Sequence, residues 1–207
     1  LPDADGGSAR LWPDRSEISD RAFLARLADR LGDRLDHGDA PASDSLILAA
    51  PLGLDATQTA LAAGHDPARM VAVDPFAGDG RLTVMAPPVP GAVAAAQARR
   101  ILHGAGLPAT EIGDSPGFVA QRVLATIVNI ACEIAQQQIA SPADIDTAVR
   151  LGLGYPRGPL AWGDAMGAHR ILTILERIET RTGDPRYRPS LWLRRRVELG
   201  VPLAPAG

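Results

Sequence analysis

Strand-like and helix-like segments alternate along this chain as far as Ile112, and beyond Asp114 every apolar pattern is helical. That change constrains the fold to a small α/β layer followed by an all-helical unit. In the first part Leu24, Leu27, Leu31 and Leu35 recur at intervals of three and four. They predict a helix with one apolar stripe, Ser19 as its N-cap and Asp20 in its first turn. The uncharged run 45–50, closed by Pro51, has the length of a buried parallel strand. Further strands are expected over 70–73, 81–85 and 108–112, with helices over 55–63 and 91–103 stopped by Gly64 and Gly104. Residues 1–9, rich in Gly, Asp and Pro, read as a tail.

In the second part Ser115-Pro116 has the form of an N-cap followed by proline in the first turn. The helix expected after it carries Val119, Val123, Leu124, Ile127, Val128, Ile130, Ala131 and Ile134 on nearly every side, which predicts burial all round. Ser141-Pro142-Ala143-Asp144 repeats the capping arrangement, and Gly152 is expected to end that helix. Ile171, Ile174, Leu175 and Ile178 mark another amphipathic helix, and Leu191, Leu193 and Val197 a last one.

Composition removes several function classes. At 46% apolar the 207 residues can build a core, which excludes disorder throughout. A net charge of −3 argues against nucleic acid as the main partner. The basic residues are all arginine, so a Schiff base, a phosphate-loop lysine and a lysine general base are excluded within the chain. Cys132 is the one cysteine and lies in an apolar helical stretch, as a buried inert thiol would. No metal site is expected. No run of eighteen apolar residues and no charged-then-apolar leader occurs, so the chain reads as cytoplasmic, with no membrane partner. Its start at Leu1 reads as that of a segment of something longer.

Four stretches carry a resemblance. Asp114-Ser-Pro-Gly-Phe-Val-Ala-Gln-Arg122 resembles the pattern Asp-x-x-Gly-Phe-x-x-Asn-Arg that opens the C-terminal domain of 3-hydroxyacyl-CoA dehydrogenases. Ala140-Ser-Pro-Ala-Asp-Ile-Asp146 is similar to that family's Ala-Ser-x-x-Asp-Ile-Asp, and Leu151-Gly-Leu-Gly-Tyr-Pro-Arg-Gly-Pro159 to its Gly-x-Gly-x-Pro-x-Gly-Pro turn. Asp164, Gly167 and Tyr187-Arg-Pro189, then a terminal helix, agree in order. The resemblance implies an α/β plus all-α chain. Residues 1–112 would be a small, reduced Rossmann-like remnant with a parallel sheet, and 113–207 a helical domain of the 6-phosphogluconate-dehydrogenase C-terminal type.

The same resemblance implies what is absent. A dinucleotide domain needs Gly-x-Gly-x-x-Gly so that backbone amides can approach a pyrophosphate. Gly78-Asp-Gly80 and Gly152-Leu-Gly154 both lack the third glycine. The family's catalytic serine, histidine and glutamate would fall near Leu52, Asp74 and Val84, and Gln121 replaces its asparagine. None of His37, His65, His103 and His169 lies on a strand beside a carboxylate in the order the family requires.

The resemblance therefore implies the C-terminal half of a two-unit bacterial NAD-dependent 3-hydroxyacyl-CoA or 3-hydroxybutyryl-CoA dehydrogenase, its helical domain packing on that of the first half, with no catalytic or NAD-binding residue in this segment. The N-terminal catalytic half of the same protein, an acyl-CoA substrate and a homo-dimer are the implied partners. Gln121, Arg122, Gly154, Pro156, Gly158 and Pro159 are the candidates for lying near substrate, although the glycines and prolines read first as a rigid interhelical turn. Asp146 and Asp164 read as caps or partners for backbone donors rather than catalytic acids. Arg194-Arg195-Arg196 could meet CoA phosphates or be the basic end of a last helix. The alternative is a non-enzymatic oligomerisation or acyl-CoA-binding module. A hydroxy-acid dehydrogenase that does without CoA is a third reading.

Overall fold

The computed structural model describes residues 9–76, 80–91 and 93–204, so the expected tail lies almost wholly outside them. Two compact units are present, Leu1–Ala120 and Gln121–Gly207.

The first unit is built on five strands, β1 (Leu11–Pro13), β2 (Leu46–Ala49), β3 (Met70–Val73), β4 (Leu82–Met85) and β5 (Ala109–Glu111), side by side in chain order. Pairing is parallel except between β3 and β4. The segment between those two strands is too short for a crossover, so the chain can only turn back on itself. Helix α1 (Arg21–Leu31) and helix α3 (Ala94–Gly104) pack with Leu11, Leu48, Val71, Val73 and Val84 on one side of the sheet. The opposite set, Trp12, Ile47, Ala49, Met70 and Ala72, meets helix α2 (Ala56–Ala63) and Phe118. Because both faces are covered, β2 and β3 are buried at every position, which is why they read as unbroken apolar runs.

The cap of α1 differs from the expectation. Asp20 accepts from the Phe23 amide at 2.9 Å. Ser19 instead donates to Asp14 at 2.6 Å and accepts from the Ala50 amide at 3.1 Å. The buried carboxylate captures the hydroxyl, and the next residue takes over the cap.

Asp36 organises the loop before β2, accepting from the amides of Gly38 and Ala42, both at 2.9 Å, and from the Ser45 hydroxyl at 2.6 Å. The Ser45 hydrogen bond and the Ala42 and Gly38 amides pull its carboxyl down to about 2, from an ordinary 3.8. A depressed carboxyl stabilises the fold above its unfolded value. That contribution is lost as pH falls from 3.8 through 2. Asp36→Asn is expected to cost about 2 kcal/mol at neutral pH and to flatten this acid dependence, measured by urea unfolding across pH.

The second unit is α4 (Ala120–Gln136), α5 (Pro142–Leu153), α6 (Pro159–Met166), α7 (Ala168–Thr182) and α8 (Leu191–Leu199). Ile171, Ile174, Leu175 and Ile178 of α7 are completely buried, as their spacing predicts. The Asn129 side chain fixes the approach to α8, donating to the Arg188 carbonyl at 2.9 Å and accepting from the Ser190 amide at 2.8 Å. Cys132 is buried, and burial, then the nearby Asp164 charge, push its thiol up to about 12.

Three expectations are corrected here. Ser115-Pro116 does not cap α4, because Gly117 and Phe118 follow at φ 75° and 48°, outside the helical region, and the helix starts at Ala120. Gly152 lies inside α5, and the left-handed end is Gly154 at φ 67°. Burial of α4 all round also fails, since Val123 and Ile130 are 52% and 55% exposed. Apolar composition showed that the helix seeks partners; within this chain those partners cover only one side.

Candidate functional site

The positions that would bear the family's chemistry lie around the strands of the first unit. Val84 is wholly buried within β4. Asp74, just beyond β3, is fully buried and accepts from the Phe76 amide at 2.9 Å. Leu52 stands half-buried in the turn after β2. A valine and a leucine can neither give nor take a proton, so these three places hold no acid–base pair.

The turns after β1 and β2 are where a Rossmann fold would present amides to a pyrophosphate. Here the protein's own carboxylates hold them. Asp20 takes the Phe23 amide at the start of α1, and Asp55 takes the Gln58 amide of α2 at 2.6 Å. Asp114 reaches back 58 residues to accept from the Ala56 amide at 2.7 Å, and also from the Thr57 amide at 3.2 Å and hydroxyl at 2.5 Å. A pyrophosphate at either turn would meet a carboxylate already bound to a helix-start amide, with its negative charge beside the phosphate. Gly78-Asp-Gly80 falls largely outside the described residues.

One acid–imidazole pair escaped sequence reasoning. His65, in the turn after α2, has Nε2 2.9 Å from Asp14, and 51 positions separate the two. Asp14 is buried and also accepts from the hydroxyls of Ser16 and Ser19 at 2.5 and 2.6 Å and from the Ser16 amide at 3.1 Å. Burial, the largest single influence, pushes its carboxyl up, yet the bonds from Ser16, Ser19 and His65 together hold it below the usual value. Trp12 meets the imidazole edge-on with centroids 5.7 Å apart, and Arg15 lies over Trp12. Here the carboxylate is the hub. A serine nucleophile would need the imidazole between itself and the acid, so this cluster fastens the end of α2 to β1 rather than activating a hydroxyl.

In the second unit the candidates are spread over two elements. Gln121 is fully buried and Arg122 half-buried on the first turn of α4. Gly154 and Pro156 are exposed in the α5–α6 turn, whereas Gly158 and Pro159 are buried at its far end. Asp146 closes that turn by accepting from the amides of Leu160 at 2.8 Å and Ala161 at 2.9 Å. Asp164 does the same for the terminal segment, accepting from Leu203 and Ala204. Both aspartates are partners for backbone donors, one of the two roles expected of them. Arg194 pairs with Glu176, and Arg196 stacks on Trp192 at 4.0 Å, so two of the three clustered arginines already have structural partners. An apolar depression of about 180 Å³ opens between α4 and α5, lined by Ile127, Ile130, Ile134, Val149 and Leu153, with Tyr155 and Pro159 at its end. Among the described residues no group of three or more His, Cys, Asp or Glu could hold a metal ion.

Residues 117–205 match the family model described as 3-hydroxyacyl-CoA dehydrogenase, C-terminal domain. This segment is similar to that family's C-terminal domain. The 3-hydroxyadipyl-CoA dehydrogenase of Escherichia coli K12 is 42% identical over 130 residues, 63% of this chain and 27% of that protein. That is more than the 3-hydroxyacyl-CoA dehydrogenase domain model covers, so the likeness reaches into the α/β unit. A probable 3-hydroxybutyryl-CoA dehydrogenase of Bacillus subtilis is 40% identical over 95 residues, 46% of this chain and 33% of its own. The chain thus spans about a quarter to a third of the length of these relatives.

Solved structures of the family agree. A 3-hydroxybutyryl-CoA dehydrogenase from Escherichia coli K12 superposes with a TM-score of 0.64 at 38% identity, over 73% of this chain and 31% of that one. The (S)-3-hydroxybutyryl-CoA dehydrogenase of Ralstonia eutropha gives 0.70 over 92% of this chain and 65% of that one; at 23% identity it speaks for the fold alone. Among the described residues no helix is long and apolar enough to cross a membrane.

Proposed function

We propose that this chain is the C-terminal part of an NAD-dependent 3-hydroxyacyl-CoA dehydrogenase of fatty acid β-oxidation, converting 3-hydroxyacyl-CoA to 3-oxoacyl-CoA in the cytoplasm. The segment contributes packing, dimer-type association and support of the acyl pocket, and the reacting groups come from the N-terminal catalytic half of the same protein. NAD supplies the hydride acceptor when bound to that half. What supports the division of labour is a single contrast. The helical unit matches the family model from 117 to 205, while the starts of α1 and α2 in the α/β unit are held by Asp20, Asp55 and Asp114.

In this reading the turn of Gly154, Pro156, Gly158 and Pro159, with Gln121 and Arg122 at the start of α4, supports the acyl-CoA. The turn supplies rigid backbone; Arg122 supplies the one fixed positive charge among these six.

The purified chain, titrated with NADH and assayed with acetoacetyl-CoA, is expected to show neither saturable binding at micromolar concentrations nor turnover. Tight binding with turnover would overturn the non-catalytic assignment. The second reading, a binding or oligomerisation module without enzymatic context, is favoured by the apolar depression between α4 and α5. Assay of the protein's full reading frame with 3-hydroxyacyl-CoA and NAD separates the two, because only the first reading expects activity.

A further inference from the structure

One leucine holds down the segment that follows α8. Val201 and Pro202 are exposed, Leu203 is completely buried, and Ala204 is half-buried. The chain reaches this place by turning at Gly200, whose φ of 64° ends α8 in the left-handed region. Asp164 of α6 then takes two successive amides, Leu203 on Oδ1 at 2.8 Å and Ala204 on Oδ2 at 2.9 Å. Arg196 donates to the Pro202 carbonyl at 2.7 Å while its guanidinium lies over Trp192. The Leu203 side chain is seated tightly, since a methyl group on Gly163 would come within 2.8 Å of its Cδ1 and 2.7 Å of Val128 Cγ1. Residues 201–204 thus form a strap with one buried side chain of any size, whereas α7 buries four. A segment held by so little apolar contact opens at a lower free energy than the core beneath it.

Beneath the strap is Cys132. It stands one helical turn beyond Val128 on α4 and is completely buried. Burial raises its thiol most; of the charges near it, Asp164 raises it further and Arg196 lowers it. Those two charges are the strap's own anchors, so the thiol and the strap share one neighbourhood. Lifting Leu203 away from Val128 and Gly163 opens this neighbourhood to water, and an exposed thiol ionises and reacts where a buried one does not.

We propose that residues 201–204 are a releasable strap that opens while α4 to α8 stay folded, and that this opening is what admits solvent and reagents to Cys132. The device goes beyond the dehydrogenase reading and does not depend on it.

Alkylation of the intact chain by iodoacetamide at about pH 8, followed by mass spectrometry at rising urea, tests it. Cys132 is the one cysteine, so the whole signal comes from this place. Local opening exposes little surface, so the wild-type rate is expected to stay within about twofold from zero to about 1 M urea and to climb only where global unfolding takes over. Leu203→Ala is expected to raise that urea-independent rate at least about tenfold. Leu199→Ala, at a residue 73% exposed beside the strap, is expected to leave it unchanged. Should Leu203→Ala fail to fold, Leu203→Val takes its place, with an expected rise of at least about threefold. A wild-type rate that grows from the lowest urea concentrations at the slope of global unfolding overturns the proposal. So does a Leu203 variant that reacts like wild type, or faster only along the steep unfolding limb. The NADH and acetoacetyl-CoA result bears on neither outcome, so loss of the strap and loss of the dehydrogenase reading are told apart.

Discussion

Phe118→Ala is expected to cost about 3–5 kcal/mol, the range for emptying a large aromatic site in a core. Phe118 is completely buried and packs among Trp12, Ile47, Met70 and Met85 on one face of the sheet. It sits there at φ 48°, a conformation that disfavours any side chain by about 1–2 kcal/mol. Only a large return in burial keeps a phenylalanine in that geometry. Alanine would retain the strain and lose the return. The loss should appear in urea unfolding as a lower midpoint with unchanged slope for the α/β unit. A change below about 1 kcal/mol would mean that Phe118 does not anchor this unit.

Gly158→Ala is expected to destabilise the helical unit by at least about 3 kcal/mol. A Cβ at this position would lie 2.2 Å from both Cβ and Cγ of Asp146 and 2.5 Å from its Cα. Neither the α5 backbone nor the carboxylate can yield, because Asp146 is held by the Leu160 and Ala161 amides. Moving it breaks two charge-assisted bonds and frees the start of α6. Gly154→Ala is the control in the same turn. It has open space around it but φ 67°, so only the conformational penalty of about 1 kcal/mol applies. Thermal unfolding of the pair should place the two variants well apart, and equal effects would refute steric exclusion at Gly158.

These two residues show why a family signature can be stronger than any one of its motifs. Gly117-Phe118 and Gly158-Pro159 look like turn chemistry when read along the chain. Each is held by a partner distant in sequence: Phe118 by the sheet, Gly158 by the Asp146 that caps the next helix. The six residues expected near substrate could therefore be located from sequence, but not assigned. Gly158 and Pro159 have a sufficient packing reason, and Gly154 a sufficient conformational one.

Local physics made much of the architecture readable from the sequence. The strand β3 and the four buried positions of α7 were fixed by continuous or three-and-four apolar spacing, which needs no knowledge of partners. The left-handed stop of α2 at Gly64 and the Ser141 cap of α5 follow from the residues at those ends. Strand β1 is three residues long and ends in proline, too short for any periodicity to mark it, and only pairing with β2 makes it a strand. The antiparallel turn between β3 and β4, the diversion of Ser19 from its cap, and the Asp14–His65 pair all depend on groups brought together from elsewhere in the chain. Apolar content established that α4 would be buried by something. Which side its own unit covers was decided by tertiary packing, because a sequence records how much surface must leave water and only the assembled neighbours determine which surface does.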